Sequence, residues 1–181
     1  MKRLLLVIAL SVSTLTLLSA CGNRDPFQSP VVKPQSQAVV AFSVISTSKL
    51  PVGISGLMVR ANLPASAVVE TDPANAKLIS STALAYGSAV TAHANNQIYG
   101  SYSAGATGKL VRITVLTPNQ EFRIGEFAKL TITPSTLSLA DFTAINSTPL
   151  AAVVGGFDPV AGSTVDLSGN TAVTISAVTA L

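Results

Sequence analysis

With 181 residues, a formal charge of +3 and only 10% charged residues, the chain has room for about one ordinary domain and carries no basic stripe of the kind that steers a protein to nucleic acid. A single cysteine and a single histidine exclude a disulfide framework and a His/Cys metal cluster. Sparse charge and abundant Ala, Val, Ser and Thr disfavour solvent-facing helices and suit pleated, half-buried strands, so the expected class is all-β.

The chain opens with Lys2 and Arg3, an apolar run from Leu4 to Leu18, and the small residues Ser19 and Ala20. Ser11, Ser13, Thr14 and Thr16 interrupt the run, which falls short of the roughly 20 apolar residues of a spanning helix. This is the pattern of an export signal over 1–20. Leu18-Ser19-Ala20-Cys21 resembles a bacterial lipobox. The resemblance implies a diacylglyceryl group and palmitate on Cys21, cleavage just before it, and a lipoprotein held at the membrane of the cell envelope. Gly22 stands where an aspartate would favour inner-membrane retention, which implies the outer membrane. Loss of the leader leaves nine basic against eight acidic residues, and no nucleic-acid partner is expected.

Pro26, Pro30 and Pro34 among Asn, Gln and Ser mark 21–37 as an extended linker. From residue 38 to 181 a single sandwich domain is expected. Val40, Phe42 and Val44 alternate with Val39, Ala41 and Ser43 over 38–46, the spacing of a strand with one inward face. Over 54–63, Leu57, Val59, Ala61 and Leu63 should face the core, with Met58, Arg60 and Asn62 wet. Residues 67–70 suit a short edge strand before the Asp72-Pro73 turn. Strands are expected over 83–92 and 97–103 around Asn95-Asn96. Over 109–116, Val111, Ile113 and Val115 oppose Arg112 and Thr114; over 123–133, Leu130 and Ile132 oppose Lys129 and Thr131. These two are expected at the centre of one sheet. A helical turn within 136–142 precedes strands over 150–154, ended by Gly155-Gly156, then 165–167, and 171–178 with Val173, Ile175 and Ala177 inward. About nine short strands with regular turn signals make a β-sandwich.

Residues 54–64 resemble the early strand of cohesin-like domains, and 122–132 their glycine-led strand after a bulge. Asp141-Phe142, and Phe157-Asp158-Pro159 through Val173, are similar to their C-terminal hairpin. The resemblance covers about 39–178. It implies a nine-stranded jelly-roll sandwich related to carbohydrate-binding modules, and a non-catalytic module for protein interaction or assembly, with an unknown envelope protein or polysaccharide as partner. No dockerin-binding residues carry over, because no matching set is present.

His93 lies near Ser88, Ser101 and Ser103, but none sits in a Gly-x-Ser-x-Gly elbow, so a solvated loop histidine is the simpler reading. Glu121 and Glu126 are close in sequence without the cleft that a glycosidase pair needs; Glu126 is expected half-buried beside Arg112 or Arg123. An enzyme is therefore not expected. No cofactor is expected beyond the lipid on Cys21, with calcium as a candidate at Asp158 and Asp166, and Asp141 near a further loop. The alternative function, carbohydrate binding, would use Tyr86, Tyr99 and Tyr102 as stacking surfaces, with Asn95 and Asn96 supplying hydrogen bonds beside Gln97. That alternative requires at least one of the three rings to be exposed near the asparagine turn.

Overall fold

The computed structural model describes residues 36–91, 94–105, 108–118 and 122–181. The expected leader over 1–20, Cys21 and most of the 21–37 linker lie outside the described residues, as do His93 and Glu121. Among the described residues no helix is long and apolar enough to cross a membrane. Twelve strands are present there: β1 (Ala38–Ser46), β2 (Ile54–Leu63), β3 (Val68–Val69), β4 (Thr71–Asp72), β5 (Asn75–Ile79) and β6 (Leu84–Tyr86) in the first half. The second half supplies β7 (Gln97–Gly105), β8 (Gly108–Leu116), β9 (Gly125–Thr133), β10 (Ala152–Asp158), β11 (Ser163–Asp166) and β12 (Thr171–Ala180), with one short helix, α1 (Leu139–Thr143).

The strands form two antiparallel sheets in a sandwich. The smaller sheet runs β12-β1-β9, with β3 and β6 both paired along the far edge of β9. The larger runs β11-β10-β2-β8-β7-β5-β4. Period-two alternation explains the inner faces: Val40, Phe42 and Val44 of β1 are fully buried, as are Leu130 and Ile132 of β9. Opposite them lie Leu57, Val59 and Ala61 of β2 and Val111, Ile113 and Val115 of β8. Phe127 joins the two layers, its ring 6.4 Å from Phe42 and 5.7 Å from Phe122, the latter edge-on. Such tilted aromatic contacts add to the burial that holds a core together.

The all-β sandwich expected from composition is present, with twelve strands in place of about nine because short pairings such as the β4–β5 hairpin carry no alternation. Asn75 to Leu78 are exposed, and only the Asp72 turn, where the carboxylate accepts the Ala74 N–H at 2.7 Å, marks that hairpin locally. The strand expected over 83–92 is reduced to β6. Beyond it Gly87 lies so close to β9 that a Cβ would meet the Glu126 carbonyl oxygen at 2.3 Å.

Three expectations are corrected by non-local pairing. β8 and β9 do not share a sheet: each is internal to its own, β8 between β2 and β7, and β9 between β1 and the β3/β6 edge. Between them Phe122 bridges Ile54 of one sheet and Val90. Glu126 is half-buried as expected, but its ion pair is with Lys129, 3.2 Å away, since Arg112 sits on the other sheet. Gly155-Gly156 does not end a strand: β10 runs through both, with a register shift between them. Glycine is required at 156 because a Cβ there would lie 2.5 Å from Val52 Cγ2 and 2.6 Å from the Gly53 carbonyl oxygen.

The last strand has its own phase change. Ala41 pairs with Ala177 but Phe42 with Ile175, leaving Ser176 as the extra residue. A bulge of this kind moves the alternation by one, so Val178, opposite buried Val40, packs on the core in place of the expected Ala177. The helical turn falls slightly later than expected, at α1, whose Phe142 is fully buried.

Candidate functional site

The three tyrosines are not brought to one surface. Tyr86 of β6 pairs with Ala128 and faces the interior edge of the smaller sheet, where burial pushes its phenol up from the usual value. Tyr102 pairs with Val111, an inward residue, and packs partly against the core. Tyr99 pairs with Thr114 on the opposite phase and stands 52% exposed on the outer face of the larger sheet. Asn95 is exposed beside it in the chain, whereas Asn96 is buried and clasps its own loop through Nδ2, which donates to the Thr91 carbonyl at 2.5 Å. The Asn96 Oδ1 is buried with no hydrogen-bond partner among the described residues.

The candidate calcium carboxylates are each engaged by their own turn. Asp158 Oδ1 accepts the backbone N–H groups of Val160 and Ala161 at 2.8 and 3.2 Å. Asp166 Oδ1 accepts the Ser168 N–H at 2.9 Å, and hydrogen bonds from the Ser168 hydroxyl and then its backbone hold this carboxyl below the usual range. Asp141 Oδ2 accepts both the N–H and the hydroxyl of Ser138 at 2.7 Å, at the entry to α1, and the same shift follows, the backbone bond being the larger cause. Among the described residues no three His, Cys, Asp or Glu side chains converge on one point.

The outer face of the larger sheet is where unspent chemistry collects. Strand register places its side chains in rows that cross β7, β8, β2 and β10. One row is Gln97, Leu116, Gly56 and Gly155; the next is Tyr99, Thr114, Met58 and Val153. A third is Ser101, Arg112 and Arg60. Leu116 is 40% exposed and leans over Gly56, where a Cβ would come within 3.1 Å of Leu116 Cδ2. Val153 is 56% exposed. At the end of the first row an open groove of about 470 Å³ is lined by Ser55, Asn95, Gln97, Leu116, Phe157 and Thr164. That volume lies within the range of small-ligand sites, and the lining combines apolar walls with amide and hydroxyl groups.

Tyr99, Asn95 and Gln97 were legible in the sequence as candidates. Leu116, Phe157 and the glycine row were not, because their meeting depends on which strands pair. Arg60 and Arg112 were each readable as wet-face residues by alternation, but nothing local signals that they oppose one another. Set against protein-family models, characterised proteins and solved structures, the chain matches none.

Proposed function

We propose that the chain is a lipoprotein of the cell envelope whose sandwich is a non-catalytic binding module, and that the outer face of its larger sheet holds a polysaccharide. The lipobox-like Leu18-Ser19-Ala20-Cys21 supports an acyl anchor at Cys21, and Gly22 supports the outer membrane. The Pro-rich linker supports a domain held away from the bilayer. The observation that carries the ligand class is Tyr99: an exposed ring on the outer face, one row from Gln97 and Leu116, which with Asn95 line a groove of mixed apolar and amide character. A sugar ring stacks its C–H face on such a surface while amides take its hydroxyls.

The test is a glycan array probed with the purified chain in detergent micelles. Retention of at least one polysaccharide by the parent, and weaker retention by Tyr99→Ala at unchanged melting temperature, is the expected result; equal retention by Tyr99→Ala moves the site off this face. For the anchor, labelled palmitate should enter the parent and not Cys21→Ser, which should leave the membrane fraction.

A second reading, an assembly module for an envelope protein, is supported by the resemblance to cohesin-like domains. It is favoured by Tyr99, Met58 and Arg60 lying together, since these residue types are enriched at protein interfaces. Chemical cross-linking on intact cells that joins this face to one defined protein, with no glycan retained on the array, would favour it.

A further inference from the structure

Directly opposed residues on neighbouring strands have their Cβ atoms about 5 Å apart, and like charges placed there destabilise the sheet. Arg60 of β2 and Arg112 of β8 are such a pair, at the centre of the larger sheet and both exposed. Neither makes an ion pair or a side-chain hydrogen bond among the described residues. Three carboxylates at strand ends of this sheet are already engaged, Asp166 by Ser168, Asp158 by its own turn and Asp72 by Ala74. Two guanidinium groups therefore stand side by side with ten N–H donors and no acceptor among the described residues.

Depressions flank the pair on both sides. One, of about 240 Å³, is lined by Met58, Arg60 and Val153. The other, of about 560 Å³, is lined by Lys77 and Ser101, and Ser101 is the cross-strand neighbour of Arg112. The row thus offers, in sequence across the sheet, the Leu78 side chain, a hydroxyl and two guanidinium groups, one row away from Tyr99 and Met58. Guanidinium forks match carboxylate geometry with two parallel hydrogen bonds.

The geometry points to an acidic polysaccharide as the ligand: a chain whose carboxylates seat on Arg60 and Arg112 while a neighbouring sugar ring lies on Tyr99. This rests on the polysaccharide reading above and adds the charge of the ligand. A neutral glycan leaves the arginine pair unanswered, and the opposed charges then only weaken the sheet.

The experiment compares binding of the full chain in detergent micelles to polygalacturonate and to its fully methyl-esterified form, which has the same backbone without the charge, with immobilised poly-glutamate as a third arm. The parent is expected to prefer polygalacturonate over the ester by about tenfold or more, and to lose that preference on going from low to high salt. Arg60→Gln/Arg112→Gln should abolish the preference, while Lys129→Gln on the other sheet should leave it intact. Unfolding by denaturant checks each variant, and the single variants Arg60→Lys and Arg112→Lys, which keep charge but lose the fork, should each retain part of the preference. Equal binding of acid and ester overturns the acidic ligand and leaves the polysaccharide reading standing. Binding of poly-glutamate through the arginine pair, without either polysaccharide, overturns the inference in favour of an acidic protein. Failure of all three arms overturns the inference, and the polysaccharide reading falls separately only if the glycan array is also blank.

Discussion

The two outer faces of the sandwich share one core and differ in what they leave open. On the smaller sheet the outward rows include Val39, Thr131 and Thr179; Ala41, Lys129 and Ala177; and Ser43 with Thr174, with Ile45 and Val68 exposed singly toward its ends. Most of these side chains are short, and several polar groups answer one another: Ser43 donates to the Ser176 hydroxyl at 2.7 Å, Ser176 donates to the Ala41 carbonyl at 3.3 Å, and Lys129 pairs with Glu126. On the larger sheet the outward rows carry Tyr99, Leu116, Met58 and Val153, and two arginines without a partner among the described residues. A surface whose hydrogen-bonding groups are already matched has little to offer a ligand, whereas unmatched donors beside exposed apolar groups gain on contact. The difference between the faces supports the larger sheet as the proposed binding surface.

The comparison breaks most completely if the shared core is removed. Phe127→Ala should cost about 3–5 kcal/mol, the range for a buried aromatic reduced to alanine, seen as a lower denaturant midpoint, and both faces should be lost together. A result confined to one sheet would mean that the layers do not stand on common packing. Next in size, Tyr99→Ala should reduce polysaccharide affinity by about 0.5–1.5 kcal/mol while stability changes by less than about 0.5 kcal/mol. Lys129→Ala, its counterpart on the smaller sheet, should leave affinity unchanged in the same titration.

The arginine pair sharpens the contrast in the opposite direction. Arg112→Thr should raise stability by about 0.2–1 kcal/mol, through relief of like-charge opposition and a residue suited to strands. The gain, measured by urea unfolding, should shrink as salt screens the charges. The smallest effect concerns the turns that frame the sheets. The Asp141 and Asp166 carboxyls are held below their usual range by Ser138 and Ser168, so each contributes stability that is present above the unfolded carboxylate value near pH 4 and is lost as pH falls through the lower folded value. The melting temperatures of Asp141→Ala and the parent should therefore differ at neutral pH and converge in acid.

Much of the framework was legible residue by residue. Val111, Ile113 and Val115 declared the inward face of β8, and Leu57, Val59, Ala61 and Leu63 that of β2, because a strand exposes alternate side chains regardless of its neighbours. The hairpin over 71–79 was not legible, since an exposed pairing needs no apolar alternation. Gly155-Gly156 read as a break because glycine commonly ends a strand, while here its missing side chain admits Val52. The candidate site followed the same division: Tyr99, Asn95 and Gln97 carry their chemistry in their own identity, but the groove also needs Leu116 from β8, Phe157 from β10 and Thr164 from β11.

Composition and alternation alone were sufficient to specify an all-β chain, the approximate course of its main strands and which residues of each face water, because those properties arise from local backbone geometry and side-chain polarity. Which strands became neighbours was settled only by tertiary pairing: β8 and β9 in opposite sheets, the bulge that turns Val178 inward, and Arg60 set against Arg112. The physical reason is that hydrogen-bonded strand partners are chosen by the combined burial of two faces across tens of residues, and no short stretch of the chain contains that information.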